Sequence, residues 1–361
     1  MEMRLSENKI GRLFRGKRIL IVGDIMLDQY LEGKIERMSP EAPVPILDVH
    51  QIRNQLGGAA NVAANVASLG AQAFLMGHVG EDMPGQIVRN LLTLHRVAFI
   101  PLSIPDRQTT LKTRLVSGHQ QMIRFDQETK TQIHEIEKAM ELALRRLTFN
   151  GIILSDYDKG VLTPDSIAFF REIEKNCGMR NADCGIMKNC GLQIADCGIQ
   201  SEIRNPQFPK VRNHQSEIRN SSSDIPIVVD PKQRNFWEYQ GFTAITPNLS
   251  EALKATEQTD HQLACEQIQR MLNPKQLLLK RGEQGMVLME GEQTYEIPAH
   301  RVEVADVTGA GDTVIATYTL GLSSGMTALE AAKLANLAAS ISVQHHGCYH
   351  IKPEDLNAHI L

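Results

Sequence analysis

The sequence lacks the features that mark several protein classes. Nowhere does an apolar run approach the roughly 18 residues needed to span a bilayer, so no membrane partner is expected. The charged stretch Met1 to Lys17 has neither the apolar core nor the small-residue cleavage site of a signal peptide, which makes the cytoplasm the expected location. Basic charge is not in excess: 38 Lys+Arg face 42 Asp+Glu, a net charge of −4, which argues against nucleic acid as the main partner. No strand pattern is followed by Gly-x-Gly-x-x-Gly, so a dinucleotide-binding dehydrogenase is disfavoured. Six cysteines in 361 residues are too few for a disulfide scaffold.

Four of those six, Cys177, Cys184, Cys190 and Cys197, fall in one short stretch. There NCGMRNADCGIMK (176–188) and NCGLQIADCGIQS (189–201) form a degenerate repeat of 13 residues, and QSEIRN occurs at 200–205 and again at 215–220. A zinc site brings thiolates in pairs two to four residues apart. Here the gaps are six, five and six residues, so the spacing follows from duplication. The expectation is a flexible, repeat-derived insertion at 179–223 rather than a metal site. Without it 316 residues remain, the size of one α/β domain, and 42% apolar content is ample for its core.

The remaining chain alternates short apolar strands with amphipathic helices. Strands are expected at 18–23, 71–79, 151–155, 227–230, 244–246, 276–280 and 286–289. Helices are expected at 57–69, 84–94, 134–147, 164–175, 249–255, 263–271, 312–323 and 328–343. Continuous apolar strands between helices indicate a parallel sheet covered on both faces. Two segments, Pro45–Gln51 and Leu111–Phe125, alternate instead and read as antiparallel, with Ser117-Gly118 as a hairpin tip. They suggest a small β lid, from segments at about 29–56 and 100–126, over the sheet's carboxyl edge, where ligands bind in open α/β sheets.

The sharpest chemical signal is DVTGAGD (306–312), running straight into a helix. Gly309, Ala310 and Gly311 let a backbone approach an anion, and the helix behind them supplies unpaired N–H groups and a positive dipole end. Asp312 beside that anion hole is placed either to cap the helix or to take a proton from an attacking hydroxyl.

DVTGAGD resembles the C-terminal signature of the ribokinase (carbohydrate kinase) family, whose final Asp is the catalytic base. GGAAN (57–61) resembles the family's sugar-contacting signature, TPNLSE (246–251) its Asn-x-x-Glu motif and KRGEQG (280–285) its nucleotide-contacting turn. Four motifs in the family's order span residues 19–361 apart from the insertion. Within the family, GDIMLDQY (23–30), MSPEAPVPIL (38–47), SDYDKG (155–160) and DPK (230–232) are similar to the kinases of D-glycero-β-D-manno-heptose 7-phosphate. The resemblance implies a ribokinase-like three-layer αβα sandwich with a mostly parallel central sheet. It also implies ATP-dependent phosphorylation of the heptose at its anomeric hydroxyl, within ADP-heptose and lipopolysaccharide core biosynthesis. A kinase for another sugar or sugar phosphate, or a non-catalytic nucleotide or sugar sensor, are the competing readings.

Residue by residue, the resemblance makes Asp312 the base and gives the N–H groups of Gly309, Ala310 and Gly311 the transferring phosphoryl group. Asn248 and Glu251 would serve Mg²⁺, mainly through water, and Lys280, Gly282, Gly285, Thr308 and Asn336 the nucleotide. Asn336 is equally well read as part of a plain packing helix. Asp28, Gly57, Gly58 and Asn61 would line the sugar pocket. Asp24 either joins them or orients the turn at its strand end. Lys159 and Arg124, with Arg37 behind them, are candidates for the sugar phosphate or ordinary surface charges. Where the family often has Gly-Thr or Gly-Ser near a monovalent-cation site, this chain reads HHGCYH (345–350), which puts an activating K⁺ in doubt. His345, His346 and His350 read as loop residues rather than metal ligands. No His-x-Gly-His adenylyltransferase motif occurs, so a separate adenylyltransferase is the expected partner for the next step, and a homodimer through the lid the expected assembly.

Overall fold

The computed structural model describes residues 9–102, 104–118, 120–129, 136, 138, 139, 143, 147–176 and 225–360. The first half of the chain runs α1 (Lys9–Phe14), β1 (Arg18–Gly23), β2 (Ile25–Met38), β3 (Pro45–Gly58), α2 (Ala59–Ser68), β4 (Gln72–Gly77), α3 (Met83–Leu94) and β5 (Ala98–Pro101). There follow β6 (Thr110–Ser117), β7 (Gln120–Gln127), β8 (Gly151–Ser155) and α4 (Pro164–Asn176). The second half holds β9 (Ile227–Asp230), β10 (Ala244–Ile245), α5 (Leu249–Thr256), α6 (His261–Leu272), β11 (Gln276–Lys280), β12 (Met286–Glu290) and β13 (Gln293–Ile297). It closes with α7 (Ala310–Ser323), α8 (Ala328–Ser342) and α9 (Pro353–Ile360).

Nine strands form one sheet in the order β13-β12-β11-β10-β9-β8-β1-β4-β5. All neighbours from β11 to β5 pair parallel, and β12 and β13 close the edge antiparallel. The sequence RILIVG shows why β1 is an interior strand. Ile19 and Ile21 point into the core beneath α2, α3, α7 and α8, while Leu20 and Val22 point into the opposite core beneath α4, α5 and α6. Helices on both faces explain the unbroken apolar runs of the parallel strands. The expected three-layer α/β sandwich is what forms.

A second sheet, in the order β3-β2-β6-β7, makes the lid. β2 pairs antiparallel with β3 and parallel with β6, and β6 with β7 forms the expected hairpin. Side chains alternate between the faces of a strand, so the register sorts this sheet cleanly. Asp28, Lys112, Arg114 and Arg124 share one face, and Leu31, Ile52, Leu115 and Ile123 lie in a row across the other.

The long strand β2 was not expected between the two alternating segments. Its residues 29–38 carry four charges, which masks a strand whose hydrophobic neighbours come from elsewhere in the chain. The short β5, ended by a proline, and the edge strand β13 were also not anticipated, nor were α1 and α9, six and eight residues long. The helix expected at 134–147 lies largely outside the described residues. The insertion at 179–223, with its four cysteines, lies wholly outside them. No described helix is long and apolar enough to cross a membrane.

Candidate active site

The carboxyl ends of the parallel strands bring the chemistry together. Asp24 follows β1, Asp156 and Tyr157 follow β8, Asp230 ends β9 and Lys280 ends β11. α7 starts at the same place. Its N-cap is Gly309, in the left-handed region at φ 78°, and a Cβ there would stand 2.8 Å from Asn61 Nδ2. Glycine is therefore required on both conformational and steric grounds.

Asp312 lies in the first turn of α7, and its carboxylate caps nothing. Oδ1 accepts from the Tyr157 hydroxyl at 2.6 Å and Oδ2 from Asn61 Nδ2 at 2.6 Å. Of the two roles open to it in the sequence, helix capping is not the one made. Burial pushes its carboxyl up to about 6, against the pull of those two hydrogen bonds. Asp230 adds to the rise and Lys280 opposes it. The Ala310 N–H, expected to serve the phosphoryl group, instead donates to Val307 O at 3.2 Å. Among the described residues the N–H groups of Gly309, Gly311 and Asp312 have no acceptor.

Two lysines flank this helix start. Lys280 Nζ donates to Asp230 Oδ1 at 2.6 Å and lies 3.6 Å from where a Cβ on Gly311 would stand. Lys232 pairs with Glu251; burial opposes its charge, but the Asp230 and Glu251 carboxylates hold it above the ordinary lysine range. Asn248 and Glu251 form the capping box of α5, with bonds of 2.8 and 2.9 Å, so both side chains already serve a helix start. Among the described residues no three His, Cys, Asp or Glu gather as a ready metal site, and His345, His346 and His350 do not form one. Glu251 keeps lone pairs free. That suits a Mg²⁺-like ion, which takes one or two carboxylates and completes its shell with water and substrate phosphates.

On the sugar side, Asp28 is buried and accepts from Arg114 at 2.5 Å. A Cβ on Gly57 would stand 2.2 Å from Asp28 Oδ2, so this glycine makes room for that carboxylate. Lys112, half-buried, has its ammonium pushed down by burial and by the neighbouring Lys159 and Arg124 cations, against Asp28 and Asp126. Lys159 pairs with Glu128 at 2.6 Å and Arg124 with Asp126 at 3.0 Å. These three cations thus share one region at the inner face of the lid. Arg37 lies toward the far end of β2, exposed beside Asp48, and is not brought there.

Several expected residues have other partners. Asp24, 1% exposed, accepts the backbone N–H groups of Tyr157, Lys159 and Val161 at 2.9 to 3.0 Å, so it orients the turn at its strand end. Asn61 has both ends of its amide committed, to Asp312 and to His350. The Thr308 N–H and hydroxyl both donate to Asp306. Asn336 donates to Pro298 O at 2.8 Å and lines a cavity of about 960 Å³ that none of the groups around Asp312 lines. Gly58 packs at the end of β3, and Gly282 and Gly285 form the tight turn between β11 and β12.

Tyr157, Asp230, Lys232, Lys112 and Arg114 had been given no role from sequence. Tyr157 sits within SDYDKG and the next two within DPK, motifs visible as strings whose side-chain directions are not. Lys112 and Arg114 are two residues apart in an alternating strand, which places them on one face.

The pattern of the pfkB family carbohydrate kinases matches residues 17–160 and 210–355. The bifunctional protein HldE of Caulobacter sp. (strain K31) is 34% identical over 356 residues, 96% of this chain and 64% of that protein. HldE of Geotalea uraniireducens (strain Rf4) is 36% identical, with 99% of this chain and 66% of that protein covered. The chain spans just under two thirds of the length of these relatives. Among solved structures, phosphofructokinase-2 from Escherichia coli in complex with potassium superposes with a TM-score of 0.68 at 17% identity, covering 95% of this chain and 98% of that one. Arabidopsis thaliana ribokinase complexed with ribose and ATP gives 0.64 at 16% identity, with the same coverage of both chains.

Proposed function

Because the chain belongs to the pfkB family of carbohydrate kinases, and so transfers a phosphoryl group to a sugar hydroxyl, we propose that its acceptor is D-glycero-β-D-manno-heptose 7-phosphate, phosphorylated at the anomeric hydroxyl to the 1,7-bisphosphate. The observation that carries this reading is the pairing of a buried, non-capping Asp312 with a cationic lid face. The base supplies the chemistry, and Lys112, Lys159 and Arg124 supply charge for a phosphate already on the sugar. Charge-assisted hydrogen bonds to such a dianion are the strong kind.

Phosphoryl transfer depends mainly on positioning and on charge stabilisation. Asp28 accepts from the sugar hydroxyls. Asp312, ionised above about pH 6, takes the proton of the attacking hydroxyl. The free N–H groups of Gly309, Gly311 and Asp312 face the charge that develops on the transferring group, each worth about 3–4 kcal/mol when well aimed. Lys280 and Lys232 hold the neighbouring phosphates of ATP, and the Gly282–Gly285 turn and Asn336 lie on the nucleotide side. Glu251, with Asn248 beside it, would hold a Mg²⁺-like ion, which would supply charge neutralisation to the ATP phosphates. Asp306 ties Thr308 to Gly347, its Oδ1 accepting the Thr308 N–H and hydroxyl and its Oδ2 the Gly347 N–H.

The relatives are named bifunctional and extend beyond the matched span. An adenylyltransferase activity, fused or separate, would complete the ADP-heptose route to the lipopolysaccharide core, in the cytoplasm. The row Leu31, Ile52, Leu115 and Ile123 on the outer lid face, with Ile52 60% and Ile123 55% exposed, suits a second copy of the same lid. Ile52→Glu should convert a dimer to a monomer in sedimentation, and a wild-type chain that sediments as a monomer contradicts that assembly.

An ATP-consumption assay with heptose 7-phosphate, ribose, fructose and fructose 6-phosphate tests the substrate assignment. Turnover on the heptose phosphate alone supports it. Turnover on a different sugar alone assigns the chain to another member of the family.

A further inference from the structure

We infer that Asp312 is aimed by a hydrogen-bonded chain, Tyr157–Asp312–Asn61–His350, in which Tyr157 and His350 are positioning residues for phosphoryl transfer. The inference rests on Asp312 acting as the base. It adds two side chains, neither of them required by that reading, that fix where the base points.

Donor and acceptor accounting sets the direction of every bond. An ionised carboxylate only accepts, so Asn61 must turn its NH₂ toward Asp312 Oδ2. Its Oδ1 then faces His350 Nε2, 3.0 Å away, and that nitrogen must carry the ring's proton. Burial, with His95 stacked edge-on at 4.6 Å, pulls His350 down to about 4, so the ring is neutral at working pH and its tautomer is set by Asn61. His350 is itself anchored: Ser68 Oγ donates to its carbonyl, and the Gly347 N–H donates to Asp306 Oδ2. Without the His350 donor, the Asn61 amide is free to turn over and press its oxygen against the carboxylate.

Tyr157 holds the other oxygen. Its own N–H is fixed by Asp24, and the Lys112 and Lys232 ammonium groups lie over its ring, 5.9 and 5.1 Å from the centroid. Burial and the Asp312 charge keep its phenol protonated, a steady donor to Oδ1. Each oxygen of Asp312 thus has one fixed donor and one lone pair left for the incoming hydroxyl. The other titratable groups facing Asp312 are Asp230, Lys280, Lys232 and Cys348, and burial keeps the Cys348 thiol protonated.

The test uses the whole chain with Tyr157→Phe, His350→Ala, His350→Gln and Asp312→Asn. It reads kcat, KM for ATP, the melting temperature and the pH profile of kcat/KM. Tyr157→Phe and His350→Ala should each lower kcat about 10- to 100-fold, as small misplacements of a catalytic group do. Each should also move the acidic limb of the profile upward while KM for ATP stays within about twofold. His350→Gln, which keeps a donor, should restore most of kcat and the original limb. Unchanged kcat and profiles in Tyr157→Phe and His350→Ala, beside an inactive Asp312→Asn, overturn the positioning chain. Failure of His350→Gln to restore overturns the role of His350. Full turnover in Asp312→Asn overturns the base itself. Should His350→Ala fail to fold, the limb of Tyr157→Phe decides: a shift supports the chain and no shift overturns it.

Discussion

The carboxyl edge of the large sheet and the lid are built on opposite plans. At the edge, Asp24, Asp156 and Asp312 are nearly inaccessible, and each has its oxygens engaged by fixed donors: backbone N–H groups, Asn235 and Tyr239, or Asn61 and Tyr157. On the lid, Arg124 and much of β7 stand in solvent, cations pair with acids on the same or neighbouring strands, and the outer face is apolar and exposed. Groups that must not move are buried and over-determined; groups that must meet a varying ligand remain accessible. On the proposed function, the shared chemistry of the fold belongs to the rigid edge and substrate choice to the lid, a division that mutations can break.

The largest effect is expected at the edge. Asp312→Asn should lower turnover by about 10²- to 10⁴-fold, the usual worth of a general base, with ATP binding by calorimetry nearly unchanged. The same substitution has a stability signature. Burial raises Asp312 from 3.8 to about 6, so the folded chain holds this proton more tightly than the unfolded one. Its contribution is present below pH ~4 and lost as pH rises to about 6, a cost of roughly 3 kcal/mol. The asparagine variant should lose that part of the pH dependence of melting, and an unchanged pH dependence would show that the carboxyl is not so raised. Next, wild-type kcat/KM should fall about tenfold per pH unit below about 6; a flat profile to pH 5 counts against Asp312 as base. Smallest is the deletion of residues 179–223, expected to leave kinase activity intact and to change stability by less than about 1 kcal/mol, since long surface loops add little closure entropy. A large loss of melting temperature would show that the segment is structural.

The parallel sheet was legible because its strands are buried on both faces and so read as uninterrupted apolar runs, as RILIVG does. β2 was not, because its pattern becomes clear only when β3 and β6 are placed on either side of it. The glycine-led start of α7 was legible because glycines before a helix have a local physical meaning. The partners of Asp312 were not, since Tyr157 and His350 lie 155 and 38 residues away along the chain. Asn61 was visible as a motif residue, but nothing local in the sequence shows that its amide faces a carboxylate on one side and an imidazole on the other. Asn248 and Glu251 carried a second meaning in plain view: Asn-x-x-Glu before a helix is also the spacing of a capping box.

The division between a catalytic edge and a selecting lid is tested most directly by the steady-state kinetics of Lys112→Ala on heptose 7-phosphate. Removing one charge-assisted contact to the sugar's phosphate should raise KM for the sugar about 10- to 100-fold and leave kcat within about threefold. A fall in kcat with KM unchanged would place Lys112 in the chemistry and contradict the division.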